Sequence, residues 1–113
     1  MNGLALARAT WGTALVTVPH LLLHGVGGRG AADDRAVAVA RALGVRHLVQ
    51  AALTSAVPGR RVLLAGSAGD LAHAASMLAL ARWDPGRRRV ALVDAALTLG
   101  WGTASWAAAT VAR

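Results

Sequence analysis

The chain contains no cysteine, and its charged residues are arginine and aspartate alone. Lysine and glutamate are absent, as are isoleucine, phenylalanine and tyrosine. Without thiols there is no disulfide framework, thiolate metal site, iron–sulfur cluster, covalent c-type haem or cysteine nucleophile. Charge is also scarce: only 15% of the 113 positions are charged, against 56% hydrophobic. That balance argues against disorder and against an ordinary water-soluble domain, and it points to a membrane. The narrow palette, with alanine the commonest residue, is that of a GC-rich bacterial genome and carries no clue to activity. The length suits one small domain and is too short for two.

Four apolar stretches are present, residues 3–25, 36–57, 62–81 and 90–111. Each has about the 20 residues that, at ~1.5 Å per residue, cross a hydrocarbon layer ~30 Å thick. The separators are rich in Gly, Pro, Asp and Arg. They are Gly25 to Gly30 followed by Asp33-Asp34-Arg35, then Pro58-Gly59-Arg60-Arg61, then Asp84-Pro85-Gly86-Arg87-Arg88-Arg89. Gly and Pro end helices and Arg stays among headgroups, so these segments predict turns at the water boundary. The expected fold is therefore all-α: a four-helix transmembrane bundle made of two helical hairpins in series, one integral membrane domain over residues 1–113. Asp33 or Asp34 is the natural cap of the second helix, and Asp84 before Pro85 that of the fourth. Strands are not expected, because no useful length alternates with period two. Leu15 to Leu23 has the apolar character of a signal peptide, but only Arg8 precedes it and no small-x-small site follows, so the first helix is expected to be retained.

Arginine placement bears on orientation. Arg29, Arg35, Arg82, Arg87, Arg88 and Arg89 flank the ends holding the first and third loops, whereas Arg8, Arg60, Arg61 and Arg113 lie toward the other side. The positive-inside rule favours loops one and three in the cytoplasm. The same charges, spread over turns between apolar spans, match anionic lipid headgroups as partner and not nucleic acid.

The second stretch carries Arg41, Arg46, His47 and Gln50. A central Arg costs about 2.5 to 3.5 kcal/mol on the insertion scale, and each Val or Leu returns only about 0.3 to 0.6. A helix lying flat on the membrane does not resolve this, because Arg41 and Arg46 sit about 140° apart and share no single polar face. Compensation inside a bundle is the expected solution, from Asp70 in the third stretch and Asp94 in the fourth. Counting in from the first and third loops, Arg41, Asp94 and His20 lie near ~7 Å, His73 near ~13 Å, Arg46 near ~15 Å and Asp70 near ~18 Å. Two layers follow. One pairs Arg41 with Asp94 near His20. The deeper one pairs Arg46 with Asp70, with His47, Gln50 and His73 adding hydrogen bonds. Inward polar stripes are expected at Thr13, Thr17, His20 and His24, at Asp70, His73 and Met77, and at Asp94, Thr98, Trp101 and Ser105. Trp11, Trp83 and Trp106 are expected near span ends, with Trp101 deeper.

The segments Ala40-Arg41-Ala42-Leu43-Gly44-Val45-Arg46-His47-Leu48-Val49-Gln50, Gly69-Asp70-Leu71-Ala72-His73-Ala74-Ala75-Ser76-Met77 and Arg87-Arg88-Arg89-Val90-Ala91-Leu92-Val93-Asp94-Ala95 resemble small uncharacterised multi-span membrane proteins of actinobacteria. The resemblance covers roughly the last two thirds of the chain. It implies a membrane location and, since that group has no assigned activity, no mechanism. The chain does not resemble the small multidrug transporters of similar length, which rely on a glutamate in the first span.

Function is expected to be non-enzymatic: an accessory subunit or scaffold of an assembly in a bacterial cytoplasmic membrane, homo- or hetero-oligomeric, with the polar layers specifying packing. The alternative is a small homo-oligomeric transporter or proton pathway using Asp70 and Asp94. A third class is a b-type haem carrier with His47 and His73 as axial ligands. No catalytic residue, metal site or resident cofactor is expected: the His20 and His24 pair lacks a third ligand, and no phosphate-cradling loop or Ser-His-Asp arrangement is visible. The deeper pairing is testable. Arg46→Asp or Asp70→Arg alone should lower the yield of folded protein, and combining them should restore it; size-exclusion in mild detergent measures the outcome, and failure of the swap to rescue counts against the pair.

Overall fold

The computed structural model describes residues 2–28, 30–57 and 59–111. Arg29, Pro58 and Arg113, assigned above to the water boundary, lie outside them. The described residues form five α-helices and no strand: α1 (Gly3–Thr17), α2 (Pro19–Gly27), α3 (Asp34–Ala56), α4 (Arg60–Trp83) and α5 (Arg88–Val111). A single 3-10 turn, Pro85–Arg87, joins α4 to α5. The chain divides into two compact units, Met1–Ala56 and Val57–Arg113. In the first, α1 and α2 pack on α3; in the second, α4 packs on α5.

The first expected span is not one helix. Pro19 has no N–H to offer the preceding turn, and its ring disfavours helical geometry at the residue before it. Val18 accordingly adopts φ −130° and ψ 45°, and α1 ends there while Pro19 opens α2. Capping sets the other boundaries. Asn2 accepts from Ala5 N at 2.8 Å, and Asp33 accepts from Ala36 N at 2.8 Å, which makes Asp33 the cap of α3. Asp84 caps the 3-10 turn through Gly86 N and so stands one turn ahead of α5. The exit from α2 passes through Gly28 at φ 76° and Gly30 at φ 83°, left-handed positions that suit glycine.

In both units the helices meet along seams spaced alternately three and four residues apart. Ala5, Arg8, Gly12 and Leu15 of α1 are buried, as are Val37, Ala40, Gly44, His47, Ala51 and Thr54 of α3. In the second unit the buried seam of α5 is Ala91, Ala95, Thr98, Gly102, Ser105 and Ala109, and α4 buries Leu63, Ser67, Asp70, Ala74 and Ala81. Small side chains bring backbones close. A Cβ built on Gly44 would lie 2.7 Å from the Gly12 carbonyl oxygen, and one on Gly12 2.8 Å from the Gly44 carbonyl oxygen.

The large apolar residues face the other way. Among the described residues four large aliphatic side chains are buried, Leu15, Leu23, Val37 and Leu63, whereas Val45, Val49, Leu53, Leu71, Leu78, Leu92, Leu97 and Leu99 are among many that are exposed. Two helices are long and apolar enough to cross a membrane, α3 and α4, and only 28% of each one's most apolar window is buried. Four such helices were expected. The break at Val18 leaves pieces of 15 and 9 residues, and α5, with 24 residues, has the length but is not among the two.

The glycine contact gives a paired prediction. Gly44→Ala should destabilise the first unit by about 1 to 3 kcal/mol, because the added methyl meets the Gly12 carbonyl oxygen, which cannot move aside as a side chain can, together with Val16 Cγ2 and Leu15 Cβ. Gly100→Ala, with nothing within 4 Å of its Cβ position, should be neutral or stabilising by up to about 1 kcal/mol from helix propensity. Thermal unfolding of both variants in the same detergent measures this, and equal melting points would contradict the close approach.

Candidate functional site

Helical phase decides which polar groups of the first unit point inward. The inward residue on α1 is Arg8, only 2% exposed, and its Nη1 lies 3.1 Å from Nδ1 of His47 on α3. Guanidinium offers donors only, so His47 Nδ1 accepts with its lone pair and the ring proton belongs on Nε2. The charge count that orients the chain sets Arg8 only toward the side away from loops one and three and does not predict its burial. The signal for its burial is its register: Ala5, Arg8, Gly12 and Leu15 repeat at three and four, in step with the glycine that touches α3.

The stripe expected to face inward on α1 and α2 faces outward. Thr13, Thr17, His20 and His24 are all exposed. The threonines need no partner from another helix, because Thr13 Oγ1 donates to Ala9 O at 2.8 Å and Thr17 Oγ1 to Thr13 O at 2.7 Å. His20 falls beyond the break at Val18, so the phase counted through α1 does not carry to it. Arg41 is exposed too, and its Nε donates to the Val16 carbonyl at 3.4 Å, beside the break where helical acceptors lose their donors. His20 and Arg41 are thus not members of a buried layer in this unit. Arg46 and Gln50 are half-buried on α3, and the Gln50 carbonyl accepts from Thr54 Oγ1 at 2.7 Å.

The second unit assembles a compact polar group. His73 Nε2 of α4 lies 2.9 Å from Asp94 Oδ2 of α5, with side chains 17% and 26% exposed. Thr98 Oγ1 lies 3.1 Å from Asp94 Oδ1 and 2.7 Å from the Asp94 carbonyl oxygen. A carboxylate accepts only, so His73 donates from Nε2 and the carboxylate is held at both oxygens. The depth count had set His73 with Asp70 and Asp94 with Arg41 and His20. The two counts differ by about 6 Å, four residues of helical rise, and the packing of α4 on α5 nevertheless brings His73 and Asp94 to 2.9 Å. Asp70 is fully buried on the α4 seam, as the polar stripe of that helix predicts, and its Cβ lies 3.3 Å from the Cβ position of Gly102. The α5 stripe also faces inward: Thr98 and Ser105 are buried, Asp94 and Trp101 half-buried. Trp83 and Trp106 are exposed near helix ends, as interfacial anchors would be.

The chemistry this arrangement offers is hydrogen bonding between helices and the holding of a proton on an imidazole–carboxylate pair. Hydroxyls nearby are committed to main chain: Ser67 Oγ donates to the Gly102 carbonyl at 2.8 Å, and Ser76 Oγ to that of Ala72 at 3.0 Å. Among the described residues no three His, Cys, Asp or Glu side chains group as metal ligands would. Comparison with protein-family models, with curated proteins and with solved structures gives no match. The class is therefore defined by fold and composition: an all-α protein with two helices capable of crossing a membrane and polar residues carried on small-residue seams.

The His73–Asp94 bond predicts energetic coupling across the α4–α5 hairpin. A double-mutant cycle of His73→Ala and Asp94→Ala should show a coupling energy of about 0.5 to 3 kcal/mol in chemical denaturation. Additivity within about 0.3 to 0.5 kcal/mol would leave the bond without energetic weight.

Proposed function

We propose that this chain is an integral, non-enzymatic membrane protein of the bacterial cytoplasmic membrane, serving as an accessory subunit or scaffold in a larger homo- or hetero-oligomeric assembly. The observation that carries this reading is the inversion of polarity within each hairpin. Arg8, His47, Ser67, Asp70, Thr98 and Ser105 are buried while the large aliphatic residues are exposed. In water an exposed apolar surface of this extent invites aggregation, whereas lipid solvates it. Within a bilayer the drive to pack comes from small residues and interhelical hydrogen bonds, and the seams supply both. On this reading the bundle has four spans: α1 and α2 form one span broken at Pro19, and α3, α4 and α5 form the others. Non-helical backbone at such a break is tolerated where side chains or water satisfy it, and Arg41 on the Val16 carbonyl supplies one such bond.

A second reading rests on the His73–Asp94 pair. An ionisable pair with one member, His73, on a candidate span is a component suited to a proton path, and it gives the transporter alternative a defined centre at Asp94, with Asp70 buried on α4. The haem reading draws no such support: His47 takes Arg8 and His73 takes Asp94, which gives each imidazole a packing role.

Membrane fractions washed with alkaline carbonate should retain the protein, and its release into the supernatant would overturn the membrane assignment. Affinity purification in mild detergent should recover either a defined partner or a homo-oligomer. Asp94→Asn separates the two readings. It should leave proton flux in reconstituted vesicles at background if the protein is a scaffold, and abolish a measurable wild-type flux without loss of fold if it is a transporter.

A further inference from the structure

The turn between α4 and α5 concentrates charge beyond what its geometry uses. Between Arg82 and Arg89 stand four arginines and one aspartate. Arg87 spends its charge locally, with Nε 3.6 Å from Asp84 Oδ2. Arg82, Arg88 and Arg89 are exposed, and among the described residues no carboxylate pairs with any of the three. Their placement is nonetheless constrained. Arg88 Nε donates to the Ala81 carbonyl at 2.8 Å, which ties this side chain to the last turn of α4 next to Arg82. Only one of its five donors is used there, so the outer edge of the guanidinium stays available. The Arg82 guanidinium lies over the Trp83 ring at 5.4 Å, and Trp83 is 78% exposed.

We propose that this turn is a docking surface for the phosphate headgroups of anionic phospholipids, with Arg82, Arg88 and Arg89 as the phosphate-facing cations and Trp83 as the interfacial anchor. The inference rests on the membrane reading and adds to it a particular end of the molecule and a particular lipid charge. Guanidinium presents paired N–H donors that match two phosphate oxygens, and its weak hydration lowers the cost of leaving water. Indole favours the headgroup level, with its ring toward the chains and its N–H toward water. The pairing of Arg82 with Trp83 holds charge and anchor at one depth. The opposite end of α4 carries Arg60 and Arg61, both exposed, and offers a smaller charge. The α4–α5 turn is therefore the end that faces the anionic cytoplasmic leaflet.

The test uses the full chain in mild detergent, titrated with dye-labelled phosphatidylglycerol and with dye-labelled phosphatidylcholine, affinity being read by fluorescence anisotropy. Each arginine near an anionic surface contributes about fivefold in affinity. Arg82→Gln with Arg88→Gln and Arg89→Gln should therefore reduce the preference for phosphatidylglycerol about a hundredfold, and Arg60→Gln with Arg61→Gln should leave most of it. A second variant, Arg82→Gln with Arg89→Gln, keeps the Arg88 bond to α4 and should lose about twenty-fivefold. Retention of the preference in both turn variants overturns the proposal, as does an equal loss in the Arg60 and Arg61 variant. Competition by inorganic phosphate at matched concentration would mark a free-anion site, and tighter binding of a single-stranded oligonucleotide through the same arginines would mark nucleic acid; either result replaces the lipid. Carbonate extraction of wild type and variants keeps the two readings apart. If all remain membrane-bound while the lipid preference is unchanged, the docking surface fails and the membrane reading stands.

Discussion

Close backbone approach along narrow seams is the constraint on which this structure depends. Where Gly12 meets Gly44, each would-be Cβ lies within 2.8 Å of the opposing carbonyl oxygen, so the two helices touch through main chain. Alanine, serine and glycine continue that approach along α4 and α5. Such a seam buries little apolar area, and helices packed this way gain more from dispersion and hydrogen bonds than from the hydrophobic effect. Few large aliphatic side chains enter the seams, Leu15, Val37 and Leu63 among them, and most occupy the outer faces. The outward apolar surface and the inward polar one are two consequences of one packing choice.

Buried groups that must accept a hydrogen bond look across the helix pair, because their own helices have no main-chain donors left to give, whereas the buried hydroxyls of Thr54 and Thr98 donate to carbonyls of their own helix. Arg8 and His47 do this in the first unit, and His73 and Asp94 in the second. Residues able to fold back on their own helix behave differently. Thr10, Thr13 and Thr17 bond the carbonyl four residues earlier and can face outward at low cost.

This sorting also connects packing to function. A scaffold uses buried polar bonds to fix register, since a slip along a seam of small residues changes little else. A proton path would use the same His73–Asp94 pair for its capacity to hold a proton. The charged α4–α5 turn is compatible with both, because anchoring to an anionic leaflet fixes depth and orientation for either role.

Much was legible without coordinates. The all-α class, helix breaks near residues 28 and 84, an aspartate cap at 33 or 34 and the inward stripes of α4 and α5 follow from local chemistry: proline and glycine break helices, aspartate caps them, and a period near 3.6 marks a face. Partner choice did not follow. Depth counted along a helix axis sets His73 with Asp70 and Asp94 with Arg41, whereas the packing of α4 on α5 joins His73 to Asp94. The outward turn of Thr13, Thr17 and His20 and the burial of Arg8 had the same origin, since the phase of α1 is set by where Gly12 meets Gly44 and is interrupted at Pro19. Composition and local signals thus determined the helical class and most helix boundaries, but not the break at Val18 or the inward face of α1. Tertiary packing alone decided which charge meets which, because that depends on rotations and distances between helices that no single helix encodes.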